Sequence, residues 1–241
     1  MTTILAPYHL DEQLADIEIP RTADLVISGS LPDGGTWERM AALYDRVADA
    51  VAVEVREGKQ PTVISGDCTT SMGTLTGLQR AGLDPVIVWF DAHGDLNTLE
   101  SSPSGYLGGM PLRMIVGYRR DLIADRLGLR DVAEDRVVLV DARDLDPGEA
   151  DYLATAAITR LPVDELTAGT IPDGPIYLHL DFDVVADLPG ALYPAPGGPS
   201  VDAVAEAVRL VIGTGRVAAI GAACTWRSGE GAAEHVGPIL G

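Results

Sequence analysis

The chain reads as an α/β protein, a three-layer α/β/α domain with a mostly parallel central sheet. Three observations predict it. Short β-branched runs alternate with amphipathic helical patterns along the chain, several runs are apolar throughout, and acidic clusters stand directly after two of them. Strand alternating with helix demands parallel strands joined by right-handed crossovers. Runs without a polar face belong to a sheet covered on both sides. Residues that bind ligands are expected outside the carboxyl ends of such strands.

Residues 24–29 are the first run with strand character. Residues 36–59 form an amphipathic helix: Thr36 is the expected N-cap, Met40, Leu43, Val47 and Val51 recur at helical spacing, and Gly58 stands near the end. Residues 62–66, 86–90, 137–140, 176–180 and 217–220 read as the remaining strands. The Gly/Pro-rich stretch 188–199 is a loop beside the second acidic cluster, and 200–212 is a second helix. No repeat, low-complexity tract or linker divides the chain, so residues 1–241 are expected to be one domain.

The composition excludes several partners. A formal charge of −19, from 36 acidic against 17 basic residues, repels nucleic acid and anionic membranes. No basic N-terminal segment precedes a long apolar stretch, and no apolar run approaches the roughly 20 residues that span a bilayer. A cytoplasmic protein is the expectation. Two cysteines, Cys68 and Cys224, are too few for a disulfide framework. No glycine-rich loop has phosphate-binding spacing, so no nucleotide cofactor is indicated.

The acidic clusters carry the chemistry. Asp91-Ala92-His93-Gly94-Asp95 and Asp181-Phe182-Asp183 follow buried-type strands. Alternate residues of an extended strand point the same way, so each cluster can face one cavity. Carboxylates with one imidazole suit Mn²⁺ or a similar divalent ion better than copper or an iron–sulfur cluster. A single Asp-x-Asp is as often a turn or helix cap. Two such clusters, each after a buried strand, argue for a two-metal site.

Together these segments resemble the arginase/agmatinase ureohydrolases. Ser65-Gly66-Asp67-Cys68 is similar to that family's Gly-Gly-Asp-His segment. Asp91 to Thr98 is similar to its Asp-Ala-His-x-Asp-x-Asn segment, and Asp181-Phe182-Asp183 to its Asp-x-Asp. The resemblance implies two Mn²⁺ ions per chain: Asp91 and Asp181 bridge, Asp95 and Cys68 complete one metal, and His93 and Asp183 complete the other. A bridging water or hydroxide would be the nucleophile, with Asp95 and Asp181 counted as catalytic. Arg143-Asp144-Leu145-Asp146-Pro147-Gly148-Glu149 resembles the arginase stretch that receives the substrate's α-amino group, through Asp146 and Glu149. By itself it reads equally as a turn and helix start. Asn97, Ser102 and Ser104, the serines within the run 101–104, match where arginases hold the α-carboxylate. The resemblance thus implies an amino-acid substrate rather than agmatine.

Three departures narrow the reading. Cys68 stands where the family has a histidine ligand, and a thiolate makes Zn²⁺ or Co²⁺ more competitive with Mn²⁺. Gly108 stands where arginases place a proton-shuttling histidine, which makes Tyr106 the candidate to supply a hydroxyl instead. The stretch 222–226 holds no acid where the family has a guanidinium-pairing glutamate, unless Glu230 folds back. A cysteine ligand and the Gly105-Tyr106-Leu107-Gly108-Gly109 loop resemble the branch that cleaves Nω-hydroxy-L-arginine to ornithine and hydroxyurea. N-hydroxylation makes the guanidine less basic, so a pairing carboxylate is less needed. The alternatives are another amidino or formimino amino acid as substrate, and a catalytically weakened metal-binding member. His179, two residues before Asp181, is a candidate to orient a carboxylate. His9 and His235 have no motif and are expected to be surface or structural residues, and Trp226 and Arg227 are candidates for either the substrate mouth or an ordinary rim position. The partners expected are a small amino-acid substrate and further copies of the chain as a homo-oligomer.

Overall fold

The computed structural model describes all residues, Met1–Gly241. In chain order the strands are β1 (Thr2–Ala6), β2 (Tyr8–His9), β3 (Glu12–Gln13), β4 (Leu25–Val26), β5 (Pro61–Ser65), β6 (Val86–Asp91), β7 (Val137–Asp141), β8 (Thr159–Leu161), β9 (Ile176–Asp181) and β10 (Val217–Ala223). The helices are α1 (Thr36–Arg56), α2 (Ser71–Arg80), α3 (Pro111–Ile115), α4 (Ala124–Leu127), α5 (Pro147–Leu153), α6 (Val201–Gly213) and α7 (Ala232–Leu240). An eight-stranded sheet runs β4-β1-β5-β10-β9-β6-β7-β8, and every neighbouring pair is parallel. β2 and β3 form a separate antiparallel pair.

Both faces of this sheet are covered, which is why its central strands lack a polar face. In β6, Ile87 and Trp89 join the core shared with α1 and α2, whereas Val88 and Phe90 join the core shared with α6 and α7. Strand alternation therefore sorts one apolar run into two cores.

The structure corrects the predicted elements at several points. Residues 24–29 supply only the two-residue edge strand β4, with Leu25 and Val26 about half exposed. The N-cap of α1 is Gly35, not Thr36; its N–H donates to the Glu38 carboxylate at 3.1 Å. That helix ends at Arg56, three residues before the expected end at 59. β1 and α2 were not expected. Gly73 and Gly77 interrupt the pattern of α2, yet packing requires them: a Cβ would stand 2.9 Å from the Tyr44 carbonyl and 2.6 Å from Val51 Cβ on α1. In α6, Ser200 is the N-cap and accepts from the Ala203 N–H at 3.3 Å.

Chain order and strand order disagree at the centre. β9 and β10 insert between β5 and β6, so the carboxyl ends of four adjacent strands converge there. This crossing point is where open α/β sheets bind ligands.

Candidate metal centre

The strands deliver only the first acid of each cluster. β6 ends at Asp91 and β9 at Asp181. His93 and Asp95 lie on an irregular segment, and Asp183 lies in the single 3-10 turn Phe182–Val184. The alternation argument therefore fails beyond the strand ends, and side-chain turns take over. Asp91 Oδ1 accepts the His93 N–H at 2.7 Å, and Asp181 Oδ1 accepts the Asp183 N–H at 2.9 Å. Asp95 sits at φ 53°, a left-handed conformation that Asp tolerates better than most residues. After β5, Asp67 Oδ1 accepts the Thr69 N–H at 2.7 Å and so fixes the turn that carries Cys68.

Two ligand sets result, and they share Asp91. Potential donor atoms of Cys68, Asp91 and Asp181 lie within 4.8 Å of one another, as do those of Asp91, His93 and Asp183. The Cys68 thiol donates to Asp181 Oδ2 at 2.9 Å and stands 3.9 Å from Asp91 Oδ2. His93 Nδ1 is 3.0 Å from Asp183 Oδ2 and 3.4 Å from Asp91 Oδ1. Asp91 thus turns one oxygen to each set. Asp95 Oδ2 is buried without a hydrogen-bond partner.

The electrostatics call for cations. Burial, then the charge of Asp183, raises Asp181 to about 7; burial, then Asp91, raises Asp183 to about 6. Burial and the carboxylates around it also push Asp95 and the Cys68 thiol up. Burial opposes a charge on His93, but Asp183 and Asp91 outweigh it and carry the imidazole up to about 12. In the metal-free chain a thiol proton and an imidazole proton therefore sit where two cations would. Buried carboxylates at this density need paired charge or neutralisation. The donor types present, with the unpartnered Asp95 oxygen, fit divalent ions.

Above the clusters opens a cavity of about 400 Å³. Cys68, Asp91, His93, Asp95, Asp181 and Asp183 line it together with Asn97, Ser102, Ser104, Tyr106, Asp146 and Glu149. Every candidate metal and substrate residue thus faces one space. Asn97 Nδ2 donates to Asp146 Oδ2 at 2.8 Å. Glu149 accepts at both oxygens from backbone, from Leu96 N–H and Asp146 N–H at 2.9 Å each. It closes the capping box of α5 as well as facing the cavity.

Other expectations are corrected. His179 orients no carboxylate: its Nδ1 pairs with the Tyr177 hydroxyl at 3.1 Å and its ring stacks on Trp89 with centroids 3.6 Å apart. Burial holds it down at about 3, so it is neutral. Trp89 takes the orienting role instead, because its Nε1–H donates to Asp91 Oδ2 at 3.1 Å. Trp226 is buried against Phe182, Arg227 bonds through its N–H to Gly190, and Glu230 lies beside Gly190; none lines the cavity. Thr225 lines that wall, and its hydroxyl donates to Asp181 Oδ1 at 2.9 Å. His9 is not a bystander, since its Nε2 stands 3.1 Å from the Tyr106 hydroxyl. Trp89 was readable two residues before Asp91 on the same strand face; Thr225 and Asp144 lie in segments the sequence singled out without naming them, and Tyr193 carried no signal.

The sequence pattern that defines the arginase family matches residues 2–222. The chain belongs to the arginase family. Among relatives of this family member, the arginase of Bacillus caldovelox is 32% identical over 208 residues, covering 79% of this chain and 69% of that one. The arginase of Bacillus subtilis is 34% identical, covering 65% of this chain and 58% of its own length. The N(omega)-hydroxy-L-arginine amidinohydrolase of Streptomyces lavendulae is 32% identical, covering 67% and 60% respectively. The chain thus spans about three fifths of two of these relatives. The crystal structure of the Bacillus cereus arginase superposes with a TM-score of 0.84 over 99% of this chain and 96% of that one, at 22% identity. Formimidoylglutamase of Bacillus subtilis shares the fold at a TM-score of 0.72 and 15% identity, over 99% and 84% of the two chains.

Proposed function

We propose that the chain is a dinuclear-metal hydrolase that attacks the guanidino carbon of an amino acid, with Nω-hydroxy-L-arginine as substrate and ornithine and hydroxyurea as products. The observation that carries this reading is the composition of one cavity. Metal-type clusters and amino-acid-type contacts line it together, and Thr225, whose hydroxyl is spent on Asp181, stands there with no acid from 222–226 beside it. A fully basic guanidinium would lack a counter-charge there. A hydroxyguanidine needs less.

Cys68, Asp91, Asp95 and Asp181 would hold one ion, and Asp91, Asp181, His93 and Asp183 the other. Mn²⁺ is typical of the family, and the thiol admits Zn²⁺ or Co²⁺. When bound, such ions supply a water of lowered pKa and polarise the carbon under attack. Asp95 Oδ2, buried without a hydrogen-bond partner, would be the oxygen free to hold a proton beside such an ion. The oxygen of Asp146 not bonded to Asn97 meets the substrate ammonium. Ser102 Oγ accepts the Gly105 N–H at 3.0 Å and Ser104 Oγ the Tyr106 N–H at 3.2 Å, and with the two hydroxyls 3.4 Å apart one donates to the other and leaves one O–H for a carboxylate.

Measuring free urea, hydroxyurea, formamide and ammonia over a panel of amidines tests the reading. Hydroxyurea from Nω-hydroxy-L-arginine should exceed urea from L-arginine. Vigorous L-arginine cleavage would overturn the substrate, and no product from any panel member would favour a weakened metal-binding member. Charge-assisted hydrogen bonds contribute about 1.5–3 kcal/mol, so Asp146→Ala should lower kcat/KM about ten- to a hundredfold. Agmatine, which lacks the carboxylate, should be a poor substrate.

A further inference from the structure

Tyr106 lines the cavity and His9 pairs with it from outside the lining, and the proposed chemistry uses neither. A side chain at position 108 has no room. A Cβ on Gly108 would stand 2.2 to 2.3 Å from the Tyr106 ring and hydroxyl, so the phenol fills the volume that any larger residue there would need. The ring is stacked against His9 with centroids 5.7 Å apart and against Tyr193 at 4.8 Å. Its orientation is fixed from both neighbours.

His9 is itself pinned. The segment 8–10 is tied to the turn that carries Cys68: Gly66 N–H donates to the Tyr8 carbonyl at 2.9 Å, and Leu10 N–H donates to Asp67 Oδ2 at 2.5 Å. A Cβ on Gly66 would approach the Tyr8 carbonyl to 2.6 Å, so only glycine allows this contact. His9 Nδ1 lies 3.1 Å from the Gly66 carbonyl, which can only accept. Nδ1 therefore carries the hydrogen, and in the neutral ring Nε2 is left as an acceptor. The Tyr106 hydroxyl must then donate to Nε2, at 3.1 Å. Its hydrogen is committed. What the phenol oxygen retains is lone pairs, and Tyr106 lines the cavity.

We infer that His9 is a positioning residue that, by taking the Tyr106 hydrogen, presents the phenol oxygen as a neutral acceptor for an N–H or N-hydroxyl of the bound guanidino group. The inference rests on the reading that such a group occupies this cavity. It deepens that reading in one respect. The segment 222–226 supplies no acid to the cavity, and a neutral acceptor in the same cavity suits a weakly basic hydroxyguanidine. Burial pushes the Tyr106 hydroxyl far above the ordinary tyrosine range, so the oxygen stays neutral rather than serving as an anionic base.

Two measurements on the metal-loaded full chain decide it. Nitrogen-15 NMR of the imidazoles should show His9 protonated at Nδ1 and bare at Nε2, with the Nε2 resonance moving in Tyr106→Phe. The opposite tautomer, or no movement, would overturn the pair whatever the enzyme cleaves. In kinetics, Tyr106→Phe should lower kcat/KM about two- to tenfold, the range for one neutral hydrogen bond, with metal content unchanged. His9→Phe, which keeps a ring for stacking, should cost a similar factor alone and almost nothing further in the Tyr106→Phe background. Multiplying losses would mean that His9 acts independently of Tyr106, and the inference would fall. If L-arginine proves to be the substrate, the reading of selectivity fails, but the same cycle on L-arginine still judges the pair. If His9→Phe does not fold, the NMR comparison and Tyr106→Phe decide alone.

Discussion

The two ligand sets share Asp91 yet differ in almost every other respect. The set of Cys68, Asp91 and Asp181 is buried throughout, and the hydrogens that reach its carboxylates include the Cys68 thiol proton, the indole N–H of Trp89 and the Thr225 hydroxyl. The set of Asp91, His93 and Asp183 includes a histidine with 29% of its side chain exposed, held between two carboxylates. A buried set built on a soft donor must expel a thiol proton before it binds a hard ion, and it has little water to help. The set with the half-buried His93 loses an imidazole proton and reaches solvent through that one side chain. The two ions should therefore differ in affinity and in preference, which is a property of environment as much as of ligand type.

The largest test of this contrast removes a shared carboxylate. Asp91→Ala or Asp181→Ala should abolish dinuclear loading by elemental analysis, whereas Asp183→Ala should chiefly deplete the set containing His93. Equal losses from all three would show that the bridges are misassigned. The metal-free Asp181 variant carries a second expectation of opposite sign. Asp181 is raised by burial, so a neutral residue there relieves an uncompensated buried charge at neutral pH. Metal-free Asp181→Asn should melt at or above the metal-free wild type, although it gains less from Mn²⁺.

Acidity sharpens the contrast next. The folded-state values of about 7 for Asp181 and about 6 for Asp183 lie above the ordinary carboxylate value near 4, so the metal-free fold binds protons that the unfolded chain does not. Their contribution to metal-free stability is present below about pH 4 and is lost as pH rises through about 6 to 7. His93, raised to about 12, keeps its proton in the fold while the unfolded imidazole loses its own near 6.5, so it adds a slope of the same sign from about pH 6.5 upward. Metal binding displaces these protons, so the melting-temperature gain from Mn²⁺ should be larger at pH 7.5 than at pH 5.5. The net charge of −19 also favours the metal-free fold at low pH. Asp181→Asn separates the causes: it should flatten the pH dependence of metal-free stability, and an unchanged slope would assign the effect to overall charge.

Much of this was legible from the chain. The strands 62–66, 86–90, 137–140, 176–180 and 217–220 announced themselves because burial on both faces leaves an unbroken apolar run, and the clusters stood beside two of them. What escaped notice depended on distant neighbours. α2 was hidden by Gly73 and Gly77, glycines that lower helix propensity but let α1 approach. β1, only five residues long, is recognisable as a strand chiefly by its pairing with β5 and β4. The reverse error at residues 24–29 arose because a short apolar run at a sheet edge need not extend. At the site, positions next to a motif were readable, while His9 and Tyr193 arrive from segments far away in sequence. Neither carries a local pattern: His9 sits in the two-residue strand β2, and Tyr193 in the Gly/Pro-rich loop 188–199.

Cys68 offers a finer test of the two sets. Cys68→Ala should remove about one metal equivalent and leave the set containing His93 loaded. Cys68→His should retain or strengthen Mn²⁺, since an imidazole is a harder donor and approaches zinc at about 2.0–2.1 Å against about 2.3 Å for a thiolate. The preference for a hydroxyguanidine over L-arginine should fall in that variant. X-ray absorption of the loaded wild type should show a sulfur neighbour that vanishes in both. Its absence from the wild type would remove Cys68 from the ligand set.

The smallest expected effect comes from a side chain that touches neither metal position directly. Trp89 Nε1–H donates to Asp91 Oδ2, the oxygen that faces Cys68, while Oδ1 faces His93 and accepts its backbone N–H. A hydrogen bond to one oxygen of a shared carboxylate draws charge away from that oxygen and fixes its direction. Trp89→Phe keeps an aromatic ring in the core and against His179 while deleting the donor. A neutral donor meeting a carboxylate contributes of the order of 1 kcal/mol net, so affinity at the Cys68 set should change about three- to tenfold. Affinity at the His93 set should change less, because Oδ1 keeps its own partner. Stepwise Mn²⁺ titration followed by calorimetry separates the two events. Equal changes at both sets would mean that Asp91 responds as a rigid unit and that its two oxygens are not tuned apart, which would dissolve the contrast between a buried thiol set and a half-buried imidazole set at the residue they share.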